Sequence, residues 1–92
     1  MIVGCKDRDT EALWFTGKRR KFSSIRDVAN RKLAILDAAT ELSALQVPPG
    51  NNLEKLKGDR EGQHSIRIND QYRICFVWKD GNAHDAEVVD YH

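Results

Sequence analysis

The chain has only two cysteines, two prolines and no long apolar run, and each scarcity narrows what it is. Cys5 and Cys75 are far apart in sequence and lack the paired spacing of a metal clip. Met1-Ile2-Val3-Gly4-Cys5 runs at once into charged residues and does not read as a secretory leader. Two reduced, partly buried thiols are therefore expected, not a disulfide. No apolar stretch approaches the ~20 residues of a membrane span, so no membrane segment is expected. The two prolines are adjacent, in Pro48-Pro49-Gly50, and end any helix that reaches them. The histidines His64, His84 and His92 show no metal-ligand spacing. Gly58 and Gly62 open no helix that could cradle a phosphate, and no nucleophile motif is visible. Neither a metal nor an organic cofactor is expected.

What remains is a mixture that suits one soluble domain over residues 1–92: 40% hydrophobic and 32% charged, with one modest core. The net charge of +1 conceals a segregation. Residues 1–32 carry nine Lys/Arg against four Asp/Glu, and residues 33–92 carry six against ten. A basic face for nucleic acid is compatible with that split, and so is an ordinary solvated surface.

Taken in order, Ile2–Cys5 reads as an edge strand. Asp7 to Gly17 reads as a short helix capped by Asp9 or Thr10 and closed by Gly17. Lys18-Arg19-Arg20-Lys21 is a basic turn. Ser24, with Asp27 three residues on, resembles a capping box opening a second helix. Its apolar stripe is Ile25, Val28, Ala29, Leu33, Leu36 and Ala39, with Leu42 and Leu45 as a possible extension. From Leu53 the period turns towards two. In Gln63–Ile68, His64, Ile66 and Ile68 share one face and Ser65 and Arg67 the other. In Tyr72–Trp78, Tyr72, Ile74, Phe76 and Trp78 alternate with Arg73, Cys75 and Val77. Lys79-Asp80-Gly81-Asn82 is a hairpin turn with Gly81 at positive φ, and Ala83–Val89 returns as a third strand. His64 and His84 both fall on core-facing positions by this alternation. The implied class is α+β: two N-terminal helices packed on one face of a small antiparallel sheet.

The pattern Leu-x-x-Leu-x-Gly-x-Arg-x-Gly-x-x-Ser-Ile-Arg-Ile-Asn-x-x-Tyr-Arg-Ile-x-Phe over Leu53–Phe76, with the ending Asp90-Tyr91-His92, resembles the HigB-type toxins of the RelE/ParE superfamily. The resemblance covers nearly the whole chain and implies a RelE-like fold. It further implies a bacterial, cytoplasmic toxin that cleaves mRNA on the ribosome without a metal. The implied partner is a helix-turn-helix antitoxin of HigA type, with operator DNA bound only through the toxin–antitoxin complex.

The same resemblance places RNA binding on Lys57, Arg60, Arg67 and Arg73, and catalysis on Lys57, Arg73, Asp90, Tyr91 and His92. Chemically, an arginine fork at Arg73 with Lys57 and Arg60 nearby would stabilise the charge that develops on a pentavalent phosphate. His92 is an imidazole able to act as general acid or base near neutrality, and Asp90 could orient it. Strand alternation separates Asp90 and His92 from Tyr91, so their convergence requires the last strand to end or bulge before Asp90. Two alternatives stay open. One is a ParE-like gyrase inhibitor of the same fold. The other is a non-enzymatic module presenting Arg67 and Arg73 to nucleic acid.

Overall fold

In the computed structural model, which describes residues 1–91, the first helix, α1, spans Arg8–Thr16. The cap is Asp7: its carboxylate accepts from the Thr10 amide, satisfying one donor that a helix start leaves unpaired. Asp9 and Thr10, the capping residues expected from the sequence, are engaged elsewhere. Asp9 pairs with Arg19 at 2.8 Å and Lys21 at 3.3 Å. The Thr10 side chain is buried, and its hydroxyl accepts from the Val88 amide at 2.9 Å. Gly17 closes the helix in the left-handed region (φ 74°), as expected.

Helix α2 spans Arg26–Ala38, but not by way of a Ser24 capping box. Burial of Phe22 and Ile25 winds Arg20–Ile25 into a 3-10 turn that feeds α2 directly, and no side-chain cap is made at Ile25. The stripe ends at Ala39 in extended backbone, and the expected Leu42–Leu45 extension is a separate 3-10 turn, Leu42–Gln46.

The sheet has four antiparallel strands in the order β1-β2-β3-β4: Glu54–Lys55, His64–Arg67, Tyr72–Lys79 and Asn82–Asp90. Lys79 pairs with Asn82 across a two-residue turn in which Asp80 (φ 54°) and Gly81 (φ 76°) are both left-handed. This is the geometry that matches strand twist. The Ile2–Cys5 segment is present as two isolated parallel bridges, Ile2 to Ala83 and Cys5 to Ala86, not as a full strand.

Leu13 of α1 and Ala29, Leu33 and Leu36 of α2 share one buried cluster with sheet residues that include Ile66, Ile74 and Phe76. Two helices and an antiparallel sheet thus make the α+β class. Cys5 and Cys75 are free thiols, Cys75 fully buried. No helix among the described residues is long and apolar enough to cross a membrane.

Two departures matter for the site. The last strand does bulge before Asp90, but at a distance from it: Asp90 itself is in register with Tyr72, and the Tyr91 amide donates to the Gln71 carbonyl at 2.6 Å. The irregularity sits earlier, between Cys75 and Val77, opposite Asp85 (φ 52°). That extra residue shifts the alternation, so His84 lies opposite Val77, on the face of Cys75 and Arg73 and not on the core face.

Candidate active site

The loop between β1 and β2 positions the first two cations. Leu56 is buried and its amide donates to the Gln63 carbonyl at 2.9 Å, drawing Lys57–Gly62 into a closed turn. Gly58 (φ 65°) and Gly62 (φ 91°) supply the left-handed corners at either end of a 3-10 turn, Gly58–Arg60. This turn faces the end of β4. Between them lies a groove of about 560 Å³ lined by Lys57, Asp59, Arg60, Val89, Asp90 and Tyr91. Four residues singled out in the sequence therefore share one surface: Lys57, Arg60, Asp90 and Tyr91.

Their states differ. Lys57 is exposed, and among the described residues its ammonium has no ion-pair or hydrogen-bond partner, while its carbonyl accepts from the Arg60 amide at 3.3 Å. Arg60 is half-buried and donates from Nη1 to Gln63 Oε1 and to Glu87 Oε1, each at 3.1 Å. Burial acts to lower its pKa, and the hydrogen bond and charge of Glu87 carry the net shift upward. Asp90 is exposed and accepts from the Gln71 side chain at 3.0 Å. Tyr91 is 42% exposed.

Arg73 stands behind this surface, not on it. It is 8% exposed. Nε donates to Ser65 Oγ at 2.8 Å, and Nη2 donates to the Asn52 carbonyl at 2.5 Å and the Ser65 carbonyl at 3.4 Å. Nη1 lies 3.9 Å from Glu54 Oε1. The guanidinium sits 5.7 Å from the centroid of the Tyr91 ring, a cation–π distance. The resemblance implies a fork that meets phosphate; in the structure cross-strand Ser65 and the loop carbonyl of Asn52 accept from its Nε and Nη2. Arg67 pairs with Asp70, opposite Arg73 in register, and does not line the groove. His92 lies outside the described residues.

Sequence reasoning missed Ser65, Asn52, Gln63 and Glu87, which hold the two arginines. Only Glu87 left a signal. It is a lone carboxylate between Ala86 and Val88, on the strand face opposite theirs, where a cation is needed.

The other two histidines, His64 and His84, do not line the groove. His64 stacks on Phe76 with centroids 6.3 Å apart, and its Nδ1 is buried without a hydrogen-bond partner. Burial, then the Lys55 charge, holds its pKa below the ordinary 6.5. The unfolded chain thus takes up this proton first as pH falls. The stability owed to His64 is whole above about pH 6.5 and is lost on acidification through the folded pKa. Between about pH 7 and about pH 5, the wild-type melting temperature should drop more steeply than that of His64→Gln. Parallel curves would refute this linkage.

A family model described as the RelE-like toxin of the type II toxin–antitoxin system HigB matches residues 6–92. The chain is 46% identical over 85 residues to Toxin HigB-1 of Vibrio cholerae serotype O1, a match covering 90% of each chain. It is 39% identical over 66 residues to Endoribonuclease HigB of Proteus vulgaris, covering 72% of this chain and 71% of that protein. Among solved structures, the YoeB–YefM complex from Staphylococcus aureus matches with a TM-score of 0.62 at 22% identity, over 100% of this chain and 95% of that one. That last likeness is one of fold.

Proposed function

Because this chain belongs to the HigB family of RelE-like toxins of type II toxin–antitoxin systems, we propose that it is an endoribonuclease that cuts mRNA in the groove between Lys57 and Tyr91. The observation that carries this reading is the meeting of Lys57, Arg60, Asp90 and Tyr91 on one surface, with the Arg73 guanidinium behind the Tyr91 ring.

In the proposed reaction the substrate's 2′-hydroxyl attacks the adjacent phosphorus. A 2′-O–P bond forms, the P–O5′ bond breaks, and a cyclic phosphate and a 5′-hydroxyl result. One proton leaves the 2′-oxygen and one reaches the 5′-oxygen. His92 and Asp90 are the groups proposed to exchange them. Lys57 and Arg60 meet the negative charge that develops on the phosphate. Tyr91, backed by a cation, offers its ring to a base, the usual way unpaired RNA is gripped. Residues 1–92 are read as one toxin domain, with both helices on one sheet face, a RelE-like placement supported by the cluster that Leu13 and Leu33 share with Ile74.

A toxin of this class has an antitoxin partner. The finer proposal is a helix-turn-helix antitoxin of HigA type, through which alone the toxin reaches operator DNA, all within the cytoplasm. Ribosome dependence is proposed from charge. With a net charge of +1 the chain has little long-range pull on free RNA, and salt weakens that pull further.

The test is the mapping of new mRNA 5′ ends with purified protein, with and without translating ribosomes. Cleavage should be efficient with ribosomes and negligible without them, and His92→Ala should keep the fold and lose cleavage. Equal rates on naked mRNA would sink the ribosome requirement. Cleavage is also expected to persist in excess chelator, with an inactive-variant blank controlling for the Mg²⁺ that ribosomes need. Activity of the isolated protein restored by added metal would count against a metal-free reaction.

A further inference from the structure

We infer that Asn51 and Asn52 are positioning residues for Arg73. The buried Asn51 amide locks the loop before β1, and the left-handed backbone of Asn52 aims the carbonyl that fixes the guanidinium. The inference rests on the RNA-cleaving reading of the site, with Arg73 taking part in catalysis, and adds an anchor, Asn51, that this reading does not contain.

Among the described residues the buried polar and charged side chains are Thr10, Asn51, Ser65 and Arg73. Three of these four meet in one network, because Arg73 bonds to Ser65 and to the residue after Asn51. The Asn51 amide is engaged at both ends. Nδ2 donates to the Leu45 and Val47 carbonyls, each at 3.2 Å, and Oδ1 accepts from Lys32 Nζ at 2.5 Å. One side chain thus ties α2 to the stretch that leaves the Leu42–Gln46 turn. A buried amide adds little net stability, but it admits one arrangement of the groups around it.

Asn52 carries that order to the site. It takes φ 44° and ψ 57°, a left-handed conformation that a residue with a Cβ keeps only where its surroundings impose it. The Asn51 amide donates to the Pro48 carbonyl at 2.9 Å and the Asn52 amide to the Pro49 carbonyl at 3.1 Å, which sets the turn. So held, the Asn52 carbonyl accepts from Arg73 Nη2 at 2.5 Å.

Two residues on, β1 begins and pairs Glu54 with Ser65, whose hydroxyl accepts from Arg73 Nε. Loop and strand therefore grip the guanidinium at Nη2 and Nε. Among the described residues Nη1 stays outside hydrogen bonds, 3.9 Å from the Glu54 carboxylate, and the guanidinium keeps its contact with the Tyr91 ring. An arginine whose rotamer is fixed before the substrate arrives loses little freedom on binding.

The experiment separates the anchor from the aim. Asn51→Asp keeps an oxygen for Lys32 and sets the other against the Leu45 and Val47 carbonyls. Its maximal single-turnover rate with translating ribosomes should fall about tenfold, while the ribosome concentration for half-maximal rate stays within about twofold. Asn52 is exposed, so Asn52→Val removes little packing. A β-branched residue resists left-handed backbone, however, and a similar loss of rate is expected. Asn52→Gly, which takes that conformation freely, should restore most of the rate lost in Asn52→Val. Melting curves accompany each variant. A lower melting temperature with an unchanged rate per folded molecule would make the loop structural only and overturn the inference. Should Asn51→Asp fail to fold, the two Asn52 variants carry the comparison.

A second measurement needs no cleavage: hydrogen exchange of the Arg73 Nε–H, followed by NMR in the free protein. Exchange should be at least about tenfold faster in Asn51→Asp and Asn52→Val than in wild type, and close to wild type in Asn52→Gly. If wild type cuts no mRNA yet exchange follows this order, the cleavage reading falls and the positioning of Arg73 stands. If wild type cuts mRNA and exchange is the same in every variant, the positioning falls and the cleavage reading stands.

Discussion

Replacing Arg73 with alanine should lower the melting temperature by roughly 12–24 °C, the equivalent of about 3 kcal/mol in a domain this small. The reason is local. The Ser65 hydroxyl is fully buried, and removing Arg73 leaves it and the Asn52 carbonyl without the donor they face. Bonds to a charged donor are worth about 1.5–3 kcal/mol each, and the orphaned acceptors add to the loss. The folded fraction should also cut roughly ten- to a hundredfold more slowly, because Tyr91 loses the cation behind its ring. Arg73→Lys should recover less than half of the stability, since an ammonium cannot serve Ser65 and Asn52 from one plane. Thermal melts and single-turnover cleavage, run side by side, check both parts. An Arg73→Ala protein that melts within about 4 °C of wild type, less than about 1 kcal/mol, would contradict the buried role described here.

Lys57→Ala should show the opposite pattern: about a hundredfold loss of cleavage with stability changed by no more than about 0.5 kcal/mol. The Lys57 side chain is exposed, has no partner among the described residues, and sits at the start of the Gly58–Arg60 turn without taking part in the core. Its ammonium therefore acts on what enters the groove and not on the fold. Lys57→Arg should retain part of the rate, and the remaining loss would report how closely the charge must sit. A Lys57→Ala protein that cuts within twofold of wild type would remove this residue from the site. The contrast matters because two cations of one motif, sixteen positions apart, are expected to fail in different ways.

Elements governed by local rules could be read from the sequence. The Lys79–Asn82 turn is fixed by Asp80-Gly81, and the α2 stripe through Ala29, Leu33 and Leu36 by helical period. Contacts between distant segments could not be read. Whether Asp7 or Asp9 caps α1 depends on where Arg19 and Lys21 return in space. The bulge near Asp85 has no glycine to announce it, yet it moves His84 to the other face of the sheet. Arg73 carries the same logic into the site. Strand alternation says only that it faces away from Ile74 and Phe76; its burial is imposed by Ser65 across the ladder and by a loop twenty-one residues upstream. Lys57, Arg60, Asp90 and Tyr91 were legible as a group because a motif and a chain ending marked them. Glu87 and Gln63 were not, since holding another side chain requires no particular sequence spacing.

The way the sheet is bordered has a consequence for how the protein survives at high concentration. Along β4 the N-terminal segment exchanges four backbone hydrogen bonds, from Val3 and Lys6 to Ala83 and Ala86 and from Ala83 and Ala86 back to Met1 and Gly4. On the other side β1 is two residues long, and both, Glu54 and Lys55, are exposed and charged. Unpaired strand edges are the templates on which chains polymerise, and charge or brevity blunts them. Here one border is already taken and the other is too short and too polar to recruit a neighbour. The fold thus carries its own safeguard against fibre growth, independent of any partner that keeps its activity in check.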